Sequence, residues 1–331
     1  VNGGYGYDSV VVNAHEGAAV SLNASYGEGG SETSVNAYYG GDVTLAVNAG
    51  YGYDRVYAES SGNVSANVSV GEGGSYVRAY SEGNIDLTVN AGEGYDDVRA
   101  YTYTGGSIDA TLNLGNGEGY VQLGANEGGN VTADVTFGSG GHSVDLYTDT
   151  ESVVNATVAG GEGYDSVTVS GGGDYSNGGN EGNYLRLTGV EQVDVSETYN
   201  VHGNYNTIVA DGDLQQVYLS NNEAASYLTV NTGGANESTT GDVTLTVNGG
   251  YGYDSVVVNA NSGANVSLNA AYGEGGSETS VNAYNGGDVT LTVDAGYGYD
   301  RVYSESSGNL TATVSVGEGG SYVRAYSEGN I

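Results

Sequence analysis

Residues 3–14 read GGYGYDSVVVNA, and close copies begin at Gly50, Gly92, Gly161, Gly250 and Gly296. Each copy has a Gly-x-Gly turn, then Tyr-Asp, then a short strand opening on Val. Weaker versions of the turn, GEGGS and GNGEGY, lie between them. With the leading Gly as marker, the series runs Gly4, Gly27, Gly50, Gly71, Gly92, Gly115, Gly138, Gly161, in steps of 23, 23, 21, 21, 23, 23 and 23 residues. It resumes at Gly250, Gly273, Gly296 and Gly317. Self-similarity at a fixed period in this range predicts a solenoid, in which each repeat buries its apolar face against its neighbours.

One period can be read residue by residue. Residues 42–49, DVTLAVNA, alternate apolar and polar, which puts Val43, Leu45, Val47 and Ala49 on one face. That period of two is the mark of a half-buried strand. GYGYD at 50–54 supplies glycines for a tight corner. RVYAES at 55–60 alternates again, with Val56 and Ala58 inward, and Ser61–Gly62–Asn63 turns the chain back. The expected fold is all-β: a parallel β-solenoid, resembling a β-roll or β-helix, with about 22 residues and two strands per turn. Each strand then pairs with its copy one turn away, at ~4.8 Å. No stretch carries a sustained helical period.

A longer repeat lies above the short one. Residues 1–85 match residues 247–331 at 74 of 85 positions without a gap, a super-repeat of 246 residues. The 89 residues from Gly161 to Gly250 are close to four more turns, which gives about eleven turns per super-repeat. The chain divides accordingly into regular solenoid at 1–170, irregular turns at 171–240 and regular solenoid at 241–331. Neither end reads as a capping repeat, so the expectation is an excerpt from a longer periodic protein.

Composition narrows the partners. The chain has 331 residues, 60 of them Gly and 31 Tyr, with no Pro, Cys, Met or Trp, and its six basic residues are all Arg. A net charge of −35 repels nucleic acid and anionic membrane surfaces and favours cations. No apolar run approaches the ~20 residues of a membrane helix, so membrane insertion is not expected. No signal peptide is visible. The expected setting is secreted, at the cell surface or in an extracellular matrix.

GGYGYDSVV at 3–11 and GGEGYDSVT at 160–168 fit the nonapeptide G-G-x-G-x-D-x-U-x, and NAGYGYDRV, NAGEGYDDV and DAGYGYDRV fit with Ala for the first Gly. The chain here resembles the RTX, or hemolysin-type, calcium-binding repeats. LTGVEQVDVSE at 187–197 is similar to linking segments of large secreted RTX and surface-layer proteins. The resemblance implies calcium held by the Asp carboxylates and glycine-loop carbonyls. It makes Asp8, Asp54, Asp96, Asp165, Asp254 and Asp300 the candidate ligands. The chain departs from the family in having one such corner per 21–23 residues instead of two nonapeptides, about 18 residues, per turn. Intervening turns carry Ser31, Ser75, Gly119 and His142 in the Asp slot. Asp54 and Asp96 are then two turns, ~9.6 Å, apart. The alternative role for the Asp is a cap on backbone N–H groups of the corner.

Other rows recur at the same phase. Glu28, Glu72, Glu93, Glu118, Glu162, Glu274 and Glu318 occupy the middle of the Gly-x-Gly turn, as a solvated edge or a metal ladder. Tyr57, Arg78 and Arg99 share one outward slot, and Glu59, Tyr80 and Tyr101 the next. Such a face either stacks turn on turn or docks neighbouring fibres or a polysaccharide. Asn48 and Asn90 invite amide ladders. Sequons occur at Asn23, Asn63, Asn67, Asn130, Asn155, Asn236, Asn265 and Asn309. His15, His142 and His202 fall at unrelated phases and form no catalytic set. Arg186 with Asp194 and His202 is the one place where a carbohydrate-active site could form. The leading expectation is a non-catalytic segment of a giant repetitive extracellular fibre that self-associates, with calcium as a possible stabiliser. The alternatives are a calcium-dependent adhesin stalk and, behind it, a carbohydrate-active solenoid enzyme.

Overall fold

The computed structural model describes residues 1–149, 152–171, 182–196, 205–219, 225–232 and 242–331, which form two compact units, Val1–Asp165 and Ser166–Ile331. Among the described residues all regular structure is strand. Each unit is a parallel β-solenoid of two strands per turn, as the period requires.

In the first unit one sheet contains Asp8–Ala14, Ser31–Ala37, Asp54–Ser60, Ser75–Ser81, Asp96–Thr102, Gly119–Ala125 and His142–Thr148. The other contains Val20–Ser25, Val43–Asn48, Val64–Ser69, Ile85–Asn90, Ile108–Leu114, Val131–Phe137 and Val154–Ala159. Registers are in phase with the period: Asp8 sits beside Ser31, Ser31 beside Asp54, Asp54 beside Ser75 and Ser75 beside Asp96. The predicted inward residues are the core. Val43, Leu45, Val56, Ala58, Val68, Leu87 and Val98 are all buried.

Two corners join the sheets, and they behave differently. The glycine corner has constant length, spanning 49–53, 70–74 and 91–95. The return corner spans 38–42 and 103–107 in some turns but only 61–63 and 82–84 in others. The alternation of 23- and 21-residue steps is therefore absorbed at the return corner.

The glycine corner is invariant because successive turns approach backbone to backbone there. A Cβ on Gly50 would lie 2.2 Å from the Gly27 carbonyl oxygen, and one on Gly71 2.3 Å from that of Gly50. The Gly71 N–H donates to the Gly50 carbonyl at 3.1 Å.

At the return corner the turns are tied by side chains. The Asn63 N–H donates to Asp42 Oδ1 (2.7 Å), the Asn84 N–H to Asn63 Oδ1 (2.9 Å), and the Ser107 N–H to Asn84 Oδ1 (2.9 Å). The series continues from the Asn130 N–H to Ser107 Oγ (3.2 Å) and from the Val153 N–H to Asn130 Oδ1 (2.8 Å). In the second unit Asp242, Asn265, Asp288, Asn309 and Asn330 repeat the ladder. Four sequons, at Asn63, Asn130, Asn265 and Asn309, fall on it. Their pattern has a structural origin: Asn caps the corner, an inward Val or Leu follows, and then an outward Ser or Thr. Asn236 lies outside the described residues.

The second unit shows a difference from the expected count. One sheet contains 166–170, Gln192–Ser196, Gln216–Leu219, Val243–Asn248, Val266–Ala271, Val289–Asp294 and Leu310–Ser315. The other contains Asn183–Thr188, Tyr205–Ala210, Ala225–Thr232, Asp254–Ala260, Ser277–Ala283, Asp300–Ser306 and Ser321–Ser327. Registers run from Ser166 to Gln192, Gln192 to Gln216, and Gln216 to Thr246. The strand leaving the corner at Gly161 is thus in the same sheet as the strand entering the corner at Gly250. The interval holds three and a half turns, not four. The described strands on either side of 171–182, 197–204 and 233–242 are separated by more residues than those on either side of 38–42, so residue count overstates the number of turns.

Gly50→Ala is expected to destabilise the first unit by about 1–3 kcal/mol or more, because the new methyl overpacks against fixed backbone. Ala46→Thr reproduces the residue found at Thr292 and is expected to stay within about 0.5 kcal/mol. Denaturant melts of the two variants check the contrast.

Candidate functional site at the glycine corners

The six candidate Asp residues head the strands that leave the glycine corners, and their carboxylates point into the solenoid. Asp54, Asp165, Asp254 and Asp300 are each 1% exposed and Asp96 is 3% exposed, while Asp8 is half-buried. A buried carboxylate needs partners, and two arrangements supply them. Asp8, Asp165 and Asp254 turn back onto their own corner, where Oδ2 accepts the N–H of Gly4 (3.0 Å), Gly161 (2.9 Å) and Gly250 (3.1 Å). Asp54, Asp96 and Asp300 turn to the preceding rung, where Oδ1 accepts the hydroxyl of Ser31 (2.8 Å), Ser75 (2.7 Å) and Ser277 (2.9 Å).

One methyl group separates the two arrangements. The residue five positions before the Asp is Gly3, Gly160 or Gly249 in the first set and Ala49, Ala91 or Ala295 in the second. A Cβ on Gly3 would lie 2.2 Å from Asp8 Oδ2, and one on Gly249 2.4 Å from Asp254 Oδ2. The Ala methyl therefore excludes the turned-back carboxylate. The reciprocal cost is visible: Ser226, in register with Asp254, has a buried hydroxyl without a partner, and Oδ2 of Asp54 and of Asp300 is buried and unpartnered.

The residues that interrupt the Asp row follow from the same packing. The inward residue before each corner and the Asp-row residue after it share one space. Their pairs are Tyr26 with Ser31, Ala49 with Asp54, Val70 with Ser75, Ala91 with Asp96, Leu114 with Gly119, and Phe137 with His142. Ser or Gly follows Tyr, Val or Leu, and Asp follows Gly or Ala. The buried Tyr26 hydroxyl is satisfied by Thr33 Oγ1 at 2.7 Å, and Tyr272 repeats this with Thr279 at 2.8 Å.

His142 breaks the size rule and is met by its neighbours. Its ring stacks on Phe137 at 4.1 Å, and Gly119 on the previous rung leaves it space, since a Cβ there would lie 3.0 Å from His142 Cδ2. Its Nδ1 is 2.8 Å from Asp165 Oδ1, which also accepts the His142 backbone N–H at 2.9 Å. His142 was legible in the sequence only as an interruption of the Asp row. The sole Phe of the chain, five residues earlier, was the available signal for its pairing.

Calcium takes six to eight oxygens. The Asp row offers one carboxylate per two turns, or per three between Asp96 and Asp165, and each is already bonded to a glycine N–H or a serine hydroxyl. The Gly50 carbonyl accepts the Gly71 N–H of the next turn, and the Gly74 carbonyl accepts the Asp54 N–H of the turn before. Among the described residues no group of three or more His, Cys, Asp or Glu converges. The donor set fits a corner cap better than a calcium shell. The Glu row, Glu28 to Glu318, is exposed throughout. Arg186 and Asp194 face outward on opposite sheets and are not brought together, and His202 lies outside the described residues.

The expected outward Tyr–Arg face forms in the first unit. Tyr80 stacks on Tyr101 at 5.7 Å and on Tyr103 at 6.2 Å, and Arg78 lies over Tyr76 at 4.5 Å. Amide ladders form through Asn36 to Asn13 (2.7 Å) and through Asn282 to Asn259 to Asn231 (2.9 and 3.0 Å); in the first unit they lie on the sheet opposite the one that carries Asn48 and Asn90, where a ladder was expected.

Comparison with known proteins matches no family model, no curated protein and no solved structure.

Two predictions follow from the carboxylate geometry. Ser31→Ala removes the partner of Asp54 Oδ1 and is expected to cost about 1–3 kcal/mol. In an Ala49→Gly background the cost falls, because Asp54 can then turn back as Asp254 does; a double-mutant cycle in urea reads the coupling. Burial pushes the Asp254 carboxyl up to about 7, and also raises Asp54 and Asp96. The unfolded carboxyl loses its proton near 3.9, so the folded state holds more protons between about pH 4 and pH 7. Stability then falls as pH rises through that window, by at most about 4 kcal/mol for Asp254. Thermal melts from pH 4 to 8 should show the fall, and Asp254→Asn should make it shallower.

Proposed function

We propose that this chain is a structural, non-catalytic segment of a long extracellular or cell-surface filament, built by repeating one solenoid turn. The observation that carries the reading is the return-corner ladder. In each unit a side chain on one turn accepts a backbone N–H of the next, at successive turns, from Asp42 to Val153 and from Asp242 to Asn330. Such bonding secures turn to turn uniformly, which suits mechanical continuity rather than a single active cleft. The 74 of 85 identities between residues 1–85 and 247–331 support the same reading. Near-identical turns serve length. The exposed Glu row keeps the surface solvated and repulsive, and salt screens it. Self-association is the partnership this reading implies.

The test is chelation of the native assembled material at fixed ionic strength, followed by β-sheet circular dichroism and electron microscopy. Sheet and filaments are expected to survive EGTA, because the corner carboxylates are already bonded within the protein. Loss of both, restored by calcium but not by magnesium, would replace this reading with a calcium-dependent stalk.

A further inference from the structure

The near-identity of the two copies makes their differences informative. Residues 1–85 and 247–331 differ at eleven positions, and four of these, 15, 16, 19 and 39, lie in two successive return corners, 15–19 and 38–42, that stack on one another. The first copy has His15, Glu16 and Tyr39 where the second has Asn261, Ser262 and Asn285. In the first copy these stacked corners form an open concavity of about 790 Å3, lined by His15, Tyr38, Tyr39, Gly40, Ser61 and Glu82.

Its layout follows from the stacking of turns. Tyr38, Ser61 and Glu82 occupy one row, each N–H donating to the last strand residue of the turn before it. Ser61 is a low floor between the Tyr38 and Glu82 walls, which stand two turns, ~9.6 Å, apart in backbone. Behind Tyr38 the His15 ring stacks at 5.4 Å with the planes 23° apart, a double-thickness aromatic wall. Tyr39 stands beside it, 79% exposed.

Tyr39 adopts its position at a backbone cost. Its φ is +63°, in the left-handed region where a bulky residue is a genuine outlier, while the counterpart Asn285, at φ +61°, is of a type that region accepts. The first copy thus keeps a strained, solvent-facing tyrosine at a corner whose unstrained version exists in the same chain. Strained residues held in this way cluster at binding sites.

We infer that this corner is a glycan-binding groove for an uncharged pyranose chain. An aromatic wall packs against the apolar C–H face of a sugar ring, while Ser61, Glu82 and His15 offer hydrogen-bonding groups to its hydroxyls. The volume is that of a small-ligand site. Glu82 and Glu16, on a chain of net charge −35, repel uronic and sulfated sugars and leave neutral ones. This binding role is separate from filament formation and does not depend on it.

The full chain is titrated calorimetrically with cellohexaose, xylohexaose and an N-acetylglucosamine hexamer, with oligogalacturonate as the acidic control. One equivalent of a neutral oligomer is expected to bind, and the acidic one is not. His15→Asn with Tyr39→Asn writes the second copy's residues into the first, a combination this chain already folds, and should weaken binding at least tenfold. Asn261→His, Ser262→Glu and Asn285→Tyr together should raise the stoichiometry from one to two. The inference is overturned by the absence of binding to every neutral oligomer, by affinity unchanged in the first variant, by no added site in the second, or by equal affinity for the acidic control. Circular dichroism of both variants confirms that they are folded.

Discussion

Successive turns meet at the glycine corner more closely than any side chain permits, and the remaining order of the molecule depends on that contact. With a Cβ on Gly50 placed 2.2 Å from the Gly27 oxygen, the corner can neither lengthen nor slip. Each strand then starts in phase with the strand one turn before it, and every residue meets its counterpart in a row. A one-residue slip would send the whole inward set of Val, Leu and Ala to solvent. The freedom that remains is at the return corner, where turns of 21 and 23 residues coexist. There the Asn and Asp ladder supplies by side chain the contacts that glycine backbone supplies at the other corner.

The same constraint explains why a strongly acidic chain buries carboxylates. The corner interior has a fixed width shared by two residues, so its chemistry is a volume rule before it is a charge rule. Asp appears where Gly or Ala precedes it by five, and Ser or Gly where Tyr, Val or Leu does. Which partner the carboxylate takes is then decided by one methyl group, at Ala49 against Gly249. Burial raises Asp254 toward neutrality, and the unpaired Ser226 hydroxyl and Asp54 Oδ2 are the cost of rows that serve two geometries at once.

Strand identity, inward faces and register could all be read from the chain, because alternation and period are local. DVTLAVNA and RVYAES show their buried side without help, and the marker glycines align the turns. The Asp residues were legible as a row. A cap on the backbone N–H groups of the corner could also be read from the local turn, and Asp165 and Asp254 take it at Gly161 and Gly250; the bond of Asp54 and Asp96 to Ser31 and Ser75 could not, because those partners lie one turn away. Asn63 and Asn130 read as sequons for the same reason: the N–H groups they bind are 21 and 23 residues distant. The half turn missing between Gly161 and Gly250 was hidden because residue count converts to turns only while corner length is constant, and the connections 171–182 and 233–242 break that proportion.

That half turn limits how far any surface row can run. Within the second unit, the sheet that begins with the strand leaving one glycine corner, 166–170, continues as strands that enter the next, Val243–Asn248 and Val266–Ala271. Outward rows are written by strand type: Tyr and Arg recur on strands that leave a glycine corner, and Thr, Ser and Asn on strands that enter one. A change of strand type within a sheet therefore ends one kind of face and starts the other. A chain made of such intervals cannot carry a single sticky stripe along its length, which is the feature that would drive uncontrolled sheet-on-sheet aggregation of a long solenoid. Contacts between neighbouring molecules would instead be confined to blocks a few turns long, with polar faces between them. On this argument the change of strand parity across the irregular segment limits the length of any one outward face.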